Sequence, residues 1–215
     1  MAAGTLRQIP LLTMNPRPLL LLCLLVVSCT LAQAQRRWTC QVEWGITGTF
    51  YTVHDLHYTT REGYHMDPRY TEASLHPNGF FGIQAGIRTG KRMQVDLCTG
   101  YYGLQSGIRS IPAGVRGTWH FGKRPDVSGG LGFAEGGIGF SDETGKKNAD
   151  YLRAGFGYRT ALGAGVYFKL LISGQLSLSH PIPYDPFDDD FVDPSRLSRS
   201  NRFAAGLSLG AAIGF

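Results

Sequence analysis

Apolar residues occupy every second position in eight separate stretches of this chain, and the last stretch shows the pattern most plainly. In F-A-A-G-L-S-L-G-A-A-I-G-F the apolar set is Phe203, Ala205, Leu207, Leu209, Ala211, Ile213 and Phe215. Arg202, Ala204, Gly206, Ser208, Gly210, Ala212 and Gly214 lie between them, so one face is apolar and the other small or polar. A period of two belongs to a β-strand with two unlike faces. The same reading predicts strands over 42–53, 79–88, 91–102, 110–121, 127–139, 151–159, 165–179 and 202–215. The connections alternate in length: 54–78 and 180–201 are long, 103–109 and 140–150 intermediate, and 89–90, 122–126 and 160–164 short. An even number of strands with short turns on one rim and longer loops on the other predicts an all-β, single eight-stranded, antiparallel, up-and-down transmembrane β-barrel.

The apolar face, assigned to lipid, takes in Trp44, Ile46, Phe50, Phe81, Ile83, Ala85, Ile87, Met93, Val95, Leu97 and Tyr101. It continues with Ile111, Ala113, Val115, Trp119, Phe121, Val127, Leu131, Phe133, Leu152, Phe156, Tyr158, Val166, Phe168, Leu170, Ile172, Leu176 and Leu178. Aromatic residues cluster toward both strand ends, as in the girdles of a membrane barrel. Glu135 breaks the scheme: on this phase it faces lipid, so the fifth strand is expected either to bulge after Phe133 or to stop there. A soluble barrel would alternate too, with its faces exchanged. The polar face argues for the membrane, because it mixes many glycines with a few long charged residues, as a lumen only wide enough for side chains requires.

Residues 1–34 fit a cleaved signal peptide: Arg7 and Arg17, an apolar stretch from Leu19 to Val27, and Ala32-Gln33-Ala34 before the cut. Val26-Val27-Ser28-Cys29 also resembles a lipobox, which would leave a lipid on Cys29. Residues 35–41 then form a periplasmic stub and 42–215 the barrel. Apolar runs beyond Ala34 are far shorter than the roughly 18 residues of a spanning helix. Cys40 and Cys98 fall about 20 Å apart on this plan, so no disulfide is expected between them.

The eight strands, the S-I-P-A-G-V-R-G-T-W segment from Ser110 to Trp119 and the terminal G-A-A-I-G-F resemble the small OmpA/OmpX-type outer-membrane β-barrels. Within that class the chain is similar to the porin-like "outer membrane protein β-barrel" group of Bacteroidetes-type bacteria. The resemblance implies an integral protein of a Gram-negative outer membrane. It also implies that the closing strand, through Leu207, Leu209, Ala211, Ile213 and Phe215, is read by the barrel-assembly machinery. Unlike in full OmpA-type proteins, no peptidoglycan-binding domain is expected after the barrel.

Without residues 1–34 the chain holds 19 basic and 16 acidic residues, and the four longer connections carry 12 acidic against 7 basic. The strands are therefore basic. Glu43, Arg88, Arg92, Asp96, Arg116, Arg153 and Lys169 are expected to form a paired charge network in the lumen, since an unpaired charge there is costly. Inward-facing basic residues on an exported barrel exclude a nucleic-acid partner. His54-x-x-His57 beside Asp55, and the run Asp185, Asp188, Asp189, Asp190, Asp193, are candidate metal ligands without the spacing of a closed site. No metal or other cofactor is expected. His180 with Ser177 or Ser179 and Asp185 is the best hydrolase-like set, but neighbouring strand residues point to opposite faces. The expected role is a non-enzymatic, structural or adhesion-like one, through loops 54–78 and 180–201, in contact with lipopolysaccharide and an external protein or surface ligand. A narrow passive channel is the alternative, and lipid A acyl chemistry a third.

Overall fold

A computed structural model describes residues 38–105, 108–122, 128–141, 148–185 and 189–215. The predicted signal segment, Cys29, residues 35–37 of the expected stub, Val127 and Asp188 lie outside the described residues. The strands are β1 (Trp38–Thr59), β2 (His65–Met66), β3 (Arg69–Glu72), β4 (His76–Arg88), β5 (Met93–Gln105), β6 (Ile108–His120), β7 (Gly129–Phe140), β8 (Ala149–Gly163), β9 (Val166–Ser179), β10 (Tyr184–Asp185), β11 (Asp190–Phe191) and β12 (Leu197–Gly214). A short 3-10 turn, Pro194–Arg196, leads into β12.

Eight of these strands, β1, β4 to β9 and β12, close antiparallel into a barrel, because β12 pairs with β1 as well as with β9. Following cross-strand partners from Thr39 through Gly86, Asp96, Arg116, Glu135, Arg153, Gln175 and Gly206 returns to β1 at Thr49, ten residues further along. That stagger over eight strands tilts them by about 40° to the barrel axis. At that tilt a strand the length of β7 rises about 30 Å, the thickness of a bilayer's hydrocarbon core.

All eight predicted strands are present. The short turns fall on one rim, and at the tightest of them Gly163 pairs with Val166 across Ala164 and Gly165. Both central residues have positive φ, 51° and 83°, as a two-residue type I′ hairpin requires. This turn is shorter than the predicted 160–164, and β8 runs on to fill the difference. The first strand begins at Trp38, inside the expected stub, and extends to Thr59. A bulge between Thr49 and Tyr51 leaves Phe50 and Tyr51 both exposed and exchanges the faces, so that Thr52, Leu56 and Tyr58 turn inward beyond it. Past this bulge β3 and β2 replace β4 beside β1, and the wall rises above the rest of the rim.

Large apolar side chains cover the exterior. Leu97 is 69% exposed and Phe156 67%, in company with Ile46, Val115, Ile172, Leu207 and Leu209. Thr47, Gln84, Gln94, Arg153, Lys169, Ser173 and Ser208 are buried inside. An apolar outside around a polar inside is the inverse of a water-soluble protein, and closure satisfies the backbone where no water reaches. The molecule is an all-β transmembrane barrel.

Strand β7 corrects the sequence reading. Leu131, Phe133 and Glu135 all point inward, each at most 6% exposed, while Gly130, Gly132, Ala134, Gly136, Ile138 and Phe140 take the outer phase. Glu135 needs no bulge, because the whole strand is one residue out of the assumed phase. The outer glycines are roofed by neighbours: a Cβ on Gly130 or on Gly132 would lie 3.2 Å from the Phe121 ring. No disulfide joins Cys40 and Cys98. Cys98 lies on the inward phase of β5, whereas Cys40 shares the phase of Trp38, Val42 and Trp44.

Candidate functional site: the charged lumen and the long-loop rim

At mid-height four ionised residues from four strands meet on the barrel axis. Arg116 on β6 reaches Glu43 on β1 with Nη1–Oε2 at 2.6 Å and donates from Nε to Glu135 Oε2 on β7 at 2.8 Å. Arg153 on β8 stands 2.8 Å from Glu43 Oε1 and donates from Nε to Ser173 Oγ, also at 2.8 Å. Two carboxylates face two guanidiniums, all at most 1% exposed. Neutral donors complete the shell: Gln84 donates to Glu43 at 2.6 Å, and the Tyr102 and Tyr151 hydroxyls donate to Glu135 at 3.2 and 2.9 Å. The Phe133 ring lies 4.5 Å from the Arg116 guanidinium and the Phe80 ring 4.6 Å from that of Arg153. Charges taken out of water persist only when each finds a partner, and here the charges balance.

The other predicted lumen residues separate from this centre. Asp96 accepts from Thr39 Oγ1 at 3.1 Å and from Gln94 Nε2 at 2.8 and 2.9 Å. Lys169 donates to Gln41 Oε1 at 2.7 Å and sits above the Tyr167 ring. Arg88 is half-buried at the short-turn end. Arg92 is exposed in the turn before β5 and is not a lumen residue, because the strand begins one residue later. Sequence reasoning missed Glu135, Tyr102, Tyr151, Gln41 and Gln84. The signal for Glu135 was its register, since an ionised group in mid-strand fixes the phase more firmly than a leucine does.

A second set of contacts crosses the lumen nearer the long-loop rim. After Gly103 the ladder to β6 slips, and Leu104 turns into the lumen, 1% exposed. Its carbonyl accepts Gln175 Nε2 at 3.2 Å and Ser177 Oγ at 3.1 Å, both from β9 on the opposite wall. Phe80, Tyr102 and Tyr151 pack beneath it, with ring centroids 5.7 and 5.8 Å apart.

Histidines and carboxylates mark the raised rim, but they do not converge on a metal. His54 faces inward and His57 outward, being an odd number of residues apart on one strand. Burial, and then the Arg202 charge, push the His54 imidazole down to about 4. His57 lies between Asp55 and Asp67, and His76 Nε2 contacts Glu72 Oε1 at 2.9 Å and Ser74 Oγ at 2.7 Å. Hydrogen bonds from Ser74, then His76, hold the Glu72 carboxyl below its ordinary range. Because one imidazole nitrogen meets both the serine and the carboxylate, this is no relay in which the ring passes a proton from one to the other. The acidic run also diverges: Asp185 is buried, Asp189 accepts from Tyr184, Asp190 pairs with Arg61 at 3.6 Å, and Asp193 caps the 3-10 turn through Ser195. Among the described residues no group of three or more His, Cys, Asp or Glu side chains has the geometry to hold a metal ion. Ser179 is fully buried on the inner face, whereas His180 is exposed and its Nδ1 donates to the Ser200 carbonyl at 2.9 Å.

No family model and no curated protein matches the chain. Among solved structures the chain is similar to the crystal structure of Neisserial surface protein A (NspA), at 12% identity and a TM-score of 0.46 over 83% of this chain and 97% of that one. It is also similar to the Salmonella SPI-1 type III secretion injectisome secretin InvG, residues 176 to the end, in the open gate state. There the identity is 8% and the TM-score 0.20, over 88% of this chain and 64% of that one.

Proposed function

We propose that this protein is a sealed barrel of a Gram-negative outer membrane, of the small OmpA/OmpX type and akin to the Bacteroidetes-type group, exported by the signal segment 1–34. It acts as a rigid scaffold that holds loops 54–78 and 180–201 at the cell surface for adhesion-like contact with an external protein or surface ligand. The observation that carries this reading is that the lumen is crossed twice, by the Glu43–Arg116–Glu135–Arg153 centre and by the bonds of Gln175 and Ser177 to the Leu104 carbonyl. A conducting pore would have to break one crossing and then the other. Lipid A acyl chemistry at His180 is disfavoured by the burial of Ser179 and by the bond from His180 to Ser200. Lipopolysaccharide surrounds the apolar exterior, and the barrel-assembly machinery reads Leu207, Leu209, Ala211, Ile213 and Phe215. The test replaces residues 60–68 and 183–193 with short turns in cells that display the barrel. Normal membrane yield with loss of adherence to host-cell or matrix surfaces is the expected result; full adherence without the loops would overturn the reading.

A further inference from the structure

Two of the chain's three tryptophans stand on either side of one short turn. Trp38 of β1 pairs in the ladder with Ile87 of β4, and Trp119 of β6 pairs with Met93 of β5, so the indoles bracket the β4–β5 hairpin. The strands that carry them lie about 14 Å apart, three interstrand spacings. All four side chains are exposed on the lipid face. Between β4 and β5 the chain reads Arg88-Thr89-Gly90-Lys91-Arg92, with cations and no acid. We propose that this hairpin binds an anionic phospholipid: Lys91 and Arg92 hold the headgroup phosphate, and the flanking indoles seat the glycerol backbone from which the chains enter the bilayer. The inference rests on the reading of the chain as an outer-membrane barrel, whose short turns lie on the periplasmic side.

The backbone fixes where these charges stand. Thr89 N–H donates to the Met93 carbonyl at 3.1 Å and closes the turn, and His120 N–H donates to the Arg92 carbonyl at 2.8 Å, which fastens Arg92 beside Trp119. Strand β5 begins at Met93, so Lys91 and Arg92 lie just past the apolar band, at the depth of a phosphate whose chains run along Ile87 and Met93. Both are exposed, and among the described residues neither pairs with a carboxylate. Arginine offers a planar fork to two phosphate oxygens and lysine a mobile point charge. The charge is also local. The turn between β8 and β9, residues 160–165, reads T-A-L-G-A-G without an ionisable side chain, while Arg159 and Lys169 beside it are buried in the lumen. Among the described residues of the short turns the exposed charged side chains are Lys91 and Arg92 alone, and they coincide with the paired indoles. Free phosphate would engage only the cations, whereas a phospholipid engages cations and indoles together.

The test is quenching of tryptophan fluorescence by brominated lipid, on the mature barrel carrying Trp44→Phe so that Trp38 and Trp119 alone report. The barrel sits in nanodiscs of phosphatidylcholine in which a minor share of the lipid is brominated on its chains near the headgroup, either phosphatidylglycerol or phosphatidylcholine. Phosphatidylglycerol should quench as though enriched at the indoles by about five- to twentyfold, the worth of one to two cations at an anionic lipid surface. Lys91→Gln with Arg92→Gln should bring the two lipids close to parity, and salt at about 1 M should remove most of the preference in the parent. Lys91→Gln alone leaves the backbone bond of Arg92 untouched, serves if the double variant misfolds, and should lower the enrichment by about two- to fivefold. Equal quenching by the two lipids in the parent, or the same enrichment in the double variant, would overturn the site and leave the transmembrane barrel standing. An enrichment abolished by millimolar inorganic phosphate would make the hairpin a free-phosphate site and overturn the lipid assignment. Quenching by neither lipid would put the indoles outside the bilayer and overturn the site and the membrane reading together.

Discussion

Arg116 and Arg199 make the same kind of bond in two unlike places. Arg116 lies inside the barrel, 1% exposed, between Glu43 and Glu135; Arg199 lies on the raised rim, 58% exposed, against Asp55. In water an ion pair replaces good hydration with a similar interaction and contributes little. The charges of the lumen centre are at most 1% exposed, so each depends on its partner. The same chemistry therefore braces the barrel and adds little at the rim.

The comparison breaks most readily at its buried end. Arg116→Met leaves Glu135 without a cation and Glu43 with Arg153 alone, and should cost about 3–5 kcal/mol in urea unfolding from lipid vesicles. A cost below about 1 kcal/mol would mean that water reaches the centre. The next largest effect tests the inside-out assignment on β7. Ala134→Arg puts a charge into lipid near mid-strand and should cost about 2–4 kcal/mol, as should Ile83→Arg on β4. Wild-type stability of Ala134→Arg would return β7 to the phase predicted from sequence. At the exposed end Arg199→Ala should change unfolding by less than about 1 kcal/mol. A larger loss would mean that the rim is braced like the lumen.

Most of the barrel was legible in the sequence, because alternation and turn spacing follow directly from a strand with one face in lipid. Leu97, Val115, Ile172 and Leu209 point outward as read. The failure on β7 is instructive. Leu131 and Phe133 were assigned to lipid for their size, yet both line the inside, where Phe133 and Leu171 pack and the Phe133 ring faces Arg116. Glycine and alanine on the outer phase cost little in lipid, whereas an ionised Glu135 there would cost several kcal/mol, so the charge was the better guide. Of the candidate site, Glu43, Arg116 and Arg153 were legible as inward charges. Their partner Glu135 and the tyrosines Tyr102 and Tyr151 were not, since alternation assigns a face but does not say which far wall a side chain meets. The bulge at Phe50 and the inward turn of Leu104 depend on contacts across the barrel and left no local mark in the sequence.

The central claim, that the lumen is sealed, is tested most directly by single-channel recording of the purified mature chain in planar bilayers. A folded, heat-modifiable barrel that inserts and passes no discrete current is the predicted result; reproducible, salt-dependent steps would contradict it and make the barrel a channel.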